Sequence, residues 1–435
     1  MKLSIIGLGT MGEYCLKELS HKVETVYIKS GKHPAKIEKI CHGHDIRNYK
    51  IASGDCDAVK DSDFVLFCVP TYSIHEKMLQ ILPYCKKGAI ISGQTSRKTP
   101  EAKAFDKYFN SNSSCGLEMV TIHTMCDPLK SDAHKEILGI IRHNSSDKAY
   151  ERAREFYGSI SEHIEEFDSV EEHDTMIANT QIDTSRTFLS IAGAFADVGC
   201  FPSLNKTYSS AFDKMKFSLA MRVASQPSHV YSGIQFGSEY GKKIVKHAIA
   251  VESSLYRMIV SNRKKEYRQR VLAAKEKLFG EKILEPILGD DVMKQFGNIA
   301  VDDPNSDFSI IQRAVTSAES GRDIFKDLKA TTPMHTSLVC LIDRLFNTED
   351  ALERAISAPF NNPGLRSDDL DFHDQIQGWS GALLHDSIEA YNSRHKDMRE
   401  KLDDKLLKEQ VDKSKQVIKV CRESMKMVKE SGRFD

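Results

Sequence analysis

The chain shows almost no imbalance of charge: 61 basic side chains stand against 62 acidic ones, a formal net charge of −1. Neither nucleic acid nor an anionic membrane surface is therefore an expected partner. No apolar run approaches the roughly 20 residues needed to span a bilayer. A secretory leader is not expected either, because a glycine turn interrupts the opening residues at once. The ten cysteines stand singly, without a Cys-x-x-Cys pair. That spacing excludes a zinc ribbon and favours reduced thiols in the cytoplasm over a disulfide framework. Repeats and low-complexity linkers are missing too, yet 435 residues exceed one ordinary core. Two or three domains are expected.

What is present begins at residue 2. The apolar run Leu3–Ile6 stops at Gly7-Leu8-Gly9-Thr10-Met11-Gly12, and a helix-like stretch follows from Glu13 to Leu19. In a strand–turn–helix unit the first glycine permits the turn, the second lets a pyrophosphate approach the backbone, and the third lets helix pack on strand. The phosphates then meet the free N–H groups at the helix start. Residues 7 to 12 are thus the expected dinucleotide cradle.

Leu3–Ile6, Thr25–Ile28, Phe64–Val69, Ala89–Ser92 and Met119–Ile122 read as buried strands alternating with helical stretches, the pattern of a doubly wound sheet. Beyond about residue 150 helical spacing dominates: Asp147–Ile160, Glu171–Val198, Phe212–Ser225, Gly241–Phe279, Phe308–Lys329, Thr336–Ile356 and Leu370–Tyr391. The expected fold is α/β plus all-α. A Rossmann-like domain occupies 1–157 and a large helical domain 158–435, with 305–435 as an added helical layer. The charge-rich tail from Ser393 to Lys429 carries a rough apolar stripe (Leu402, Leu406, Val411, Val417, Val420, Met427). It reads as a helix packed along one face, with a partner-binding helix as the alternative.

The second strand bears on cofactor choice. An acidic residue at its end would bind the ribose 2′-hydroxyl of NAD. Here it ends in Lys29, Ser30, Gly31 and Lys32, so a 2′-phosphate would meet a hydroxyl and cations, and NADP is the expected cofactor. The alternative is that these are solvated loop charges and NAD is tolerated. Two later strand ends carry further chemistry: Ser92-Gly-Gln-Thr-Ser96-Arg-Lys98 and Val120-Thr-Ile-His123-Thr-Met-Cys-Asp127. Hydroxyl, cation and imidazole suit a substrate with a carboxylate and an oxidisable alcohol, since a histidine with an ordinary pKa near 6.5 is a good base at working pH. Taken singly, His123 is equally a structural histidine, Ser96 and Lys98 are equally caps of the next helix, and Arg222 is equally a surface ion-pair residue.

Four motifs in order change the balance. Ser96-x-Lys98 and His123 are followed by Glu171-Glu-His173-Asp174 leading to Asn179-Thr-Gln181, and by Ser218-Leu-Ala-Met-Arg222-Val-Ala-Ser-Gln226-Pro with Val230-Tyr231. In this order they resemble the prephenate dehydrogenase family. Gly93–Glu101 with Ala104–Tyr108 is similar to its longer members, which have an enlarged helical C-terminal half. The resemblance is looser through Pro304-Asn-Ser and near Trp379.

The resemblance implies NADP on Gly7, Gly9 and Gly12, with its nicotinamide near Val69, Pro70 and Ser96, and with Lys98 at the same site. It implies that His123 takes the proton from the ring 4-hydroxyl of prephenate while a hydride and carbon dioxide leave, giving 4-hydroxyphenylpyruvate, the precursor of tyrosine. Arg222 is implied as the carboxylate ligand, its planar fork suited to two parallel hydrogen bonds. Lys214 is implied as a second cation and Gln181 as a substrate-side residue. A cytoplasmic homodimer built through the helical half is also implied. Two departures bear on the substrate. Asp127 stands where the family usually has a glycine, and Ser185 then Arg186 where many members have a histidine. Arg186 is an alternative cation, and Asp127 would suit the ammonium of L-arogenate unless it pairs with Lys130.

Other readings remain open. Cys41-His42-Gly-His44-Asp45 has metal-type ligands at short spacing but no partner cluster. A β-hydroxyacid dehydrogenase would share the glycine turn and use a lysine base, such as Lys214 or Lys242, but the surrounding glycine-and-asparagine context is missing. A cofactor-binding sensor or scaffold that has lost the chemistry is the non-enzymatic alternative.

Overall fold

A computed structural model describes residues 1–125, 128, 133–199, 201, 210–280, 284–299, 307–325, 328, 332–361 and 363–430. Asp127, Lys130 and Pro304-Asn-Ser306 lie outside the described residues. The chain divides into two compact units, Met1–Ile177 and Ala178–Asp435.

The first unit is built on β1 (Lys2–Ile6), β2 (Thr25–Lys29), β3 (Tyr49–Ile51), β4 (Phe64–Phe67), β5 (Ile90–Gly93), β6 (Glu118–Thr124), β7 (Ile137–Arg142) and β8 (His163–Phe167). They form one sheet in the order β3-β2-β1-β4-β5-β6-β7-β8. The pairs from β3 to β6 are parallel, whereas β7 runs antiparallel to β6 and parallel to β8. Its helices are α1 (Thr10–Leu19), α2 (Pro34–Gly43), α3 (Asp55–Val59), α4 (Thr71–Ile81), α5 (Thr99–Ser111), α6 (Asp147–Tyr157) and α7 (Val170–Ile177).

Side chains alternate across the strands, and each face finds its own core. Leu3, Ile5, Phe64 and Leu66 pack with Tyr14 and Leu16 of α1 and with Phe156 and Tyr157 of α6. On the other face Ile6, Val65 and Phe67 pack with Ile74 and Met78 of α4 and with Ala104 and Phe105 of α5. Both faces of the central strands are covered, which is why they read as continuous apolar runs. Beside the five expected strands, β3, β7 and β8 are additional. β3 is only three residues long. β8, His-Ile-Glu-Glu-Phe, is an edge strand with mostly exposed residues, so it lacks the apolar signature. Because β8 and α7 join this unit, it runs to Ile177, past the boundary expected at 157.

The second unit opens with a π-helical turn, Ala178–Asp183, and continues as α8 (Thr184–Val198), α9 (Ala211–Ala224), α10 (Ser228–Gln235), α11 (Glu239–Val260), α12 (Lys264–Phe279), α13 (Asp290–Met293), α14 (Phe308–Glu319), α15 (Pro333–Phe346), α16 (Glu349–Asn361), α17 (Pro363–Leu384), α18 (Ile388–Lys401) and α19 (Asp404–Glu430). Two stretches expected as single helices are broken, at Asn262 and at Asp386, where φ is +54° and +51°. Asn and Asp tolerate that left-handed conformation better than most residues. The tail packs rather than projecting: Leu407, Val417, Cys421 and Met425 of α19 join the helical core, and Gln410 receives a 2.8 Å bond from Ser218 of α9. Met427, expected in the stripe, is instead 62% exposed.

Candidate active site

The cradle is built at the crevice beside β1, where the strand order reverses between β2 and β4, the usual ligand position in open α/β sheets. Gly7 has φ +98°, and a Cβ there would lie 2.5 Å from the Cys68 carbonyl oxygen. A Cβ on Gly12 would lie 2.3 Å from the Gly7 carbonyl oxygen, so α1 can approach β1 only as glycine. Around Gly9 nothing lies within 4 Å of the added carbon, and this is the position where a phosphate must come close. Gly9 is also the N-cap of α1 and supplies no side chain to the first-turn N–H groups, which face the anion a dinucleotide would bring. These residues fit the group. Leu8 is buried in the core, so its share in the cradle is backbone alone, while Thr10 and Met11 open the helix.

At the end of β2, Ser30 Oγ accepts from the Lys32 N–H at 3.2 Å, and Lys32 itself is exposed. Lys29 Nζ reaches the Ser53 carbonyl oxygen at 3.2 Å. No carboxylate occupies the position that would select a free 2′-hydroxyl. Val69 and Pro70 emerge beside Gly7, since β4 is parallel to β1 and the Cys68 N–H bonds the Ile6 carbonyl at 2.8 Å. Pro70 caps α4.

His123 lies near the end of β6 and is only 4% exposed. Its Nδ1 lies 3.0 Å from Nε2 of His173, and His173 Nδ1 lies 2.9 Å from Oδ1 of Asp174. The carboxylate determines the proton positions. As acceptor it requires N–H at His173 Nδ1, so neutral His173 presents a lone pair at Nε2. His123 must then carry its proton on Nδ1, leaving Nε2 as the free base. Asp174 is anchored in turn by the N–H groups of Lys98 and Thr99, each at 2.8 Å, and by the Thr99 hydroxyl at 2.5 Å. It therefore caps α5 from outside the helix, a favourable place for a carboxylate. The expected capping of α5 by Ser96 or Lys98 side chains does not occur.

Burial, then the neighbouring His173, then Lys98 hold the His123 pKa well below its usual value. Burial likewise lowers His173, against the pull of Asp174. Burial works to raise Asp174, but its bonds from His173, Lys98 and Thr99 keep it below the usual carboxylate range. The site therefore holds a neutral imidazole ready to accept a proton. The roles of His173 and Asp174 were not assigned from sequence, although the adjacent His-Asp pair within the third motif was a usable signal.

Two expectations need correction. Lys98 does not reach a cofactor: its side chain is fully buried and ion-paired with Glu101 at 2.9 Å. In the helical unit Arg186 is no substrate-side cation. It is fully buried, paired with Asp183 at 2.5 Å and bonded to Ser380 at 3.0 Å, while Arg313 holds the other Asp183 oxygen at 3.0 Å. The i, i+3 spacing of Asp183 and Arg186 was the overlooked signal. Ser185 bonds the Gln181 carbonyl at 2.6 Å.

Arg222 behaves differently. It sits near the end of α9, half-buried, and its guanidinium pairs with no carboxylate among the described residues. Lys214, on the first turns of the same helix, is half-buried as well. Gln181 lies in the π-helical turn, and Ser96, between β5 and α5, has no hydroxyl partner among the described residues. The Cys41–Asp45 ligand types diverge. Cys41 is buried with its thiol pushed up to about 11 by burial, His44 bonds Glu13 at 3.1 Å, and Asp45 pairs with Arg47 at 3.0 Å.

The dinucleotide cradle beside a buried histidine relay defines an oxidoreductase. A family profile described as a "6-phosphogluconate dehydrogenase C-terminal domain", in the form typical of tyrosine-pathway dehydrogenases, matches residues 183–423, over half of the chain. Another, "NADP oxidoreductase coenzyme F420-dependent", matches residues 2–92. The chain belongs to the prephenate dehydrogenase family. It is similar to the "Probable prephenate dehydrogenase [NADP(+)]" of Schizosaccharomyces pombe, with 25% identity over 92% of this chain and 93% of the relative. It is equally similar to the "Prephenate dehydrogenase [NADP(+)]" of Saccharomyces cerevisiae, with 25% identity over 90% of this chain and 88% of the relative. The "Probable arogenate/prephenate dehydrogenase" of Methanocaldococcus jannaschii is 21% identical over 64% of this chain and 61% of its own length.

Proposed function

We propose that this protein is an NADP-dependent prephenate dehydrogenase. It converts prephenate to 4-hydroxyphenylpyruvate with loss of the ring carboxylate as carbon dioxide. The observation that carries the reading is the Asp174–His173–His123 relay, which leaves His123 Nε2 as an unprotonated base. The two yeast relatives, matched along nearly their whole lengths, carry this name.

His123 Nε2 takes the proton of the ring 4-hydroxyl. NADP, when bound on Gly7, Gly9 and Gly12, supplies the acceptor for the hydride that leaves the same carbon. The proton held at Nε2 makes His123 an imidazolium, which the His173 lone pair stabilises at Nδ1, while Asp174 stabilises His173 in turn. Arg222 binds a substrate carboxylate through its fork, Lys214 adds a second cation, and Gln181 and Ser96 supply neutral hydrogen bonds. Ser30, Lys32 and Lys29 favour the 2′-phosphate. Decarboxylation generates an aromatic ring, so the step runs in one direction. The working form is a cytoplasmic homodimer: light scattering at twice the chain mass supports the dimer, and the mass of one chain contradicts it.

His123→Asn tests the core of this reading. Turnover of prephenate should fall by about 10²–10⁴-fold, as for a lost general base, with NADP binding kept. A wild-type rate removes His123 from the chemistry. Turnover of L-arogenate in preference to prephenate would make the protein an arogenate dehydrogenase, and NADP binding without turnover of either would make it a sensor or scaffold.

A further inference from the structure

Lys98 occupies a singular place in the first unit. Its ammonium donates to the Ile122 carbonyl at 2.6 Å and the Gly93 carbonyl at 3.1 Å, and pairs with Glu101 at 2.9 Å. Three acceptors around three N–H bonds are what a charged ammonium requires, and none is left to reach outward. Glu101 is equally buried and also accepts from Thr95 at 3.0 Å and from Thr121. A Cβ on Gly93 would lie 1.8 Å from the Glu101 carboxylate, so the glycine that ends β5 makes room for the pair. Two bonds tie this pair to the base. Ile122 directly precedes His123, so the ammonium pins the strand from which the imidazole projects. The backbone N–H of the same lysine donates to Asp174 at the far end of the relay.

We propose that Lys98, held by Glu101, is a positioning residue for the His123 base and not a cofactor ligand. Its side chain fixes the strand at His123, its backbone fixes Asp174, and its enclosed charge opposes a positive charge on either imidazole. The inference rests on His123 being the base. The charged and titratable groups arranged about His123 among the described residues are His173 and Asp174 from α7, and Lys98 and Glu101 from the start of α5. Of these, His173 and Lys98 act to keep His123 neutral. Burying two ions is costly, and an apolar pair of similar volume commonly serves stability as well or better. A merely structural pair would therefore leave the pH dependence of the base untouched.

The test replaces both charges together, Lys98→Met with Glu101→Leu, so that no ion is left buried alone, and adds Lys98→Gln. The glutamine keeps a donor toward the Ile122 carbonyl but lacks the charge. For each variant, kcat, the NADP KM and the pH profile of kcat/KM with prephenate are measured. In the double variant kcat should fall about 10–100-fold, as a displaced catalytic group does, with the NADP KM unchanged and the acid limb moved to higher pH. In Lys98→Gln the limb should move the same way with a smaller loss of kcat. If the double variant fails to fold, Lys98→Gln decides. A wild-type limb and kcat in a folded variant overturn the proposal, as does a tenfold rise in NADP KM with an unmoved limb. His123→Asn in the same assay separates the two levels. A wild-type rate there removes the base itself, whereas its loss beside unaltered Lys98 variants removes the positioning role alone.

Discussion

His173 Nε2 lies 3.0 Å from His123 Nδ1, and that contact decides which nitrogen of His123 is the base. Asp174 makes the choice, since its carboxylate can only accept from His173. Asp174→Asn offers an amide that can donate to His173 Nδ1 and so reverse both imidazoles. By analogy with the Asp→Asn change in serine protease triads, kcat should fall by about 10²–10⁴-fold with the NADP KM retained. Asn still caps helices well, so thermal unfolding should shift little. An unchanged kcat in steady-state assays would mean that the relay does not set the tautomer.

The acid limb of activity follows from the same burial. His123 is the active form only when unprotonated, and its pKa is held well below the usual 6.5. Activity should therefore persist on going below pH 6.5 and fail only further down. A kcat/KM profile that halves at or above pH 6.5 through a single ionisation of the free enzyme contradicts the buried neutral base.

How much of this was legible in the sequence differs by feature. The glycine turn was, because its three positions answer to local geometry: Gly7 to a positive φ, Gly9 to open space, Gly12 to helix–strand contact. The apolar runs of β1, β4 and β5 were legible because both faces are covered. β8 was not, since an exposed edge strand lacks an apolar pattern. Without β8 and α7 in place, nothing in a linear reading brings His173 beside His123, fifty positions apart. Lys98 and Arg186 were misplaced for a shared reason. A long cation reads as a ligand for an anion, and only packing reveals that Glu101 or Asp183 already fills that place.

The contrast between Arg186 and Arg222 is open to measurement. Arg186→Met leaves the buried Asp183 with Arg313 as its remaining cation, and breaking a buried pair typically costs about 3–5 kcal/mol. A clear drop in unfolding midpoint should result. Arg222→Lys should leave that midpoint in place and raise the prephenate KM strongly, because an ammonium cannot reproduce the two parallel bonds. Equal effects of both changes on stability, with KM unaltered, would remove Arg222 from the substrate site.

Cofactor selection rests on Ser30 and Lys32 lying where no carboxylate stands. Ser30→Asp with Lys32→Ala should turn attraction for the 2′-phosphate into repulsion. The ratio of kcat/KM for NADP over NAD should fall at least about tenfold, given that one charge-assisted hydrogen bond is worth about 1.5–3 kcal/mol. An unaltered ratio would place the 2′-phosphate elsewhere.

A pH effect on stability should come from the helical unit. His373 Nδ1 lies 2.7 Å from Oε1 of the buried Glu252 and stacks on Tyr256. The bond to Glu252 raises the His373 pKa above its unfolded value, against the effect of burial. This contribution is fully present below about pH 6.5 and is lost as pH rises through the raised value. Urea midpoints of wild type and His373→Gln should therefore differ most near pH 6 and converge at alkaline pH. A constant difference would mean that charge plays no part.

The central claim is that this chain oxidatively decarboxylates prephenate with NADP. The most direct measurement is the initial rate of NADPH formation, by nicotinamide absorbance, with purified protein and prephenate or L-arogenate in parallel. The account predicts formation with prephenate, accompanied by equimolar 4-hydroxyphenylpyruvate and abolished in His123→Asn. Formation with L-arogenate alone, or no formation despite bound NADP, would contradict it.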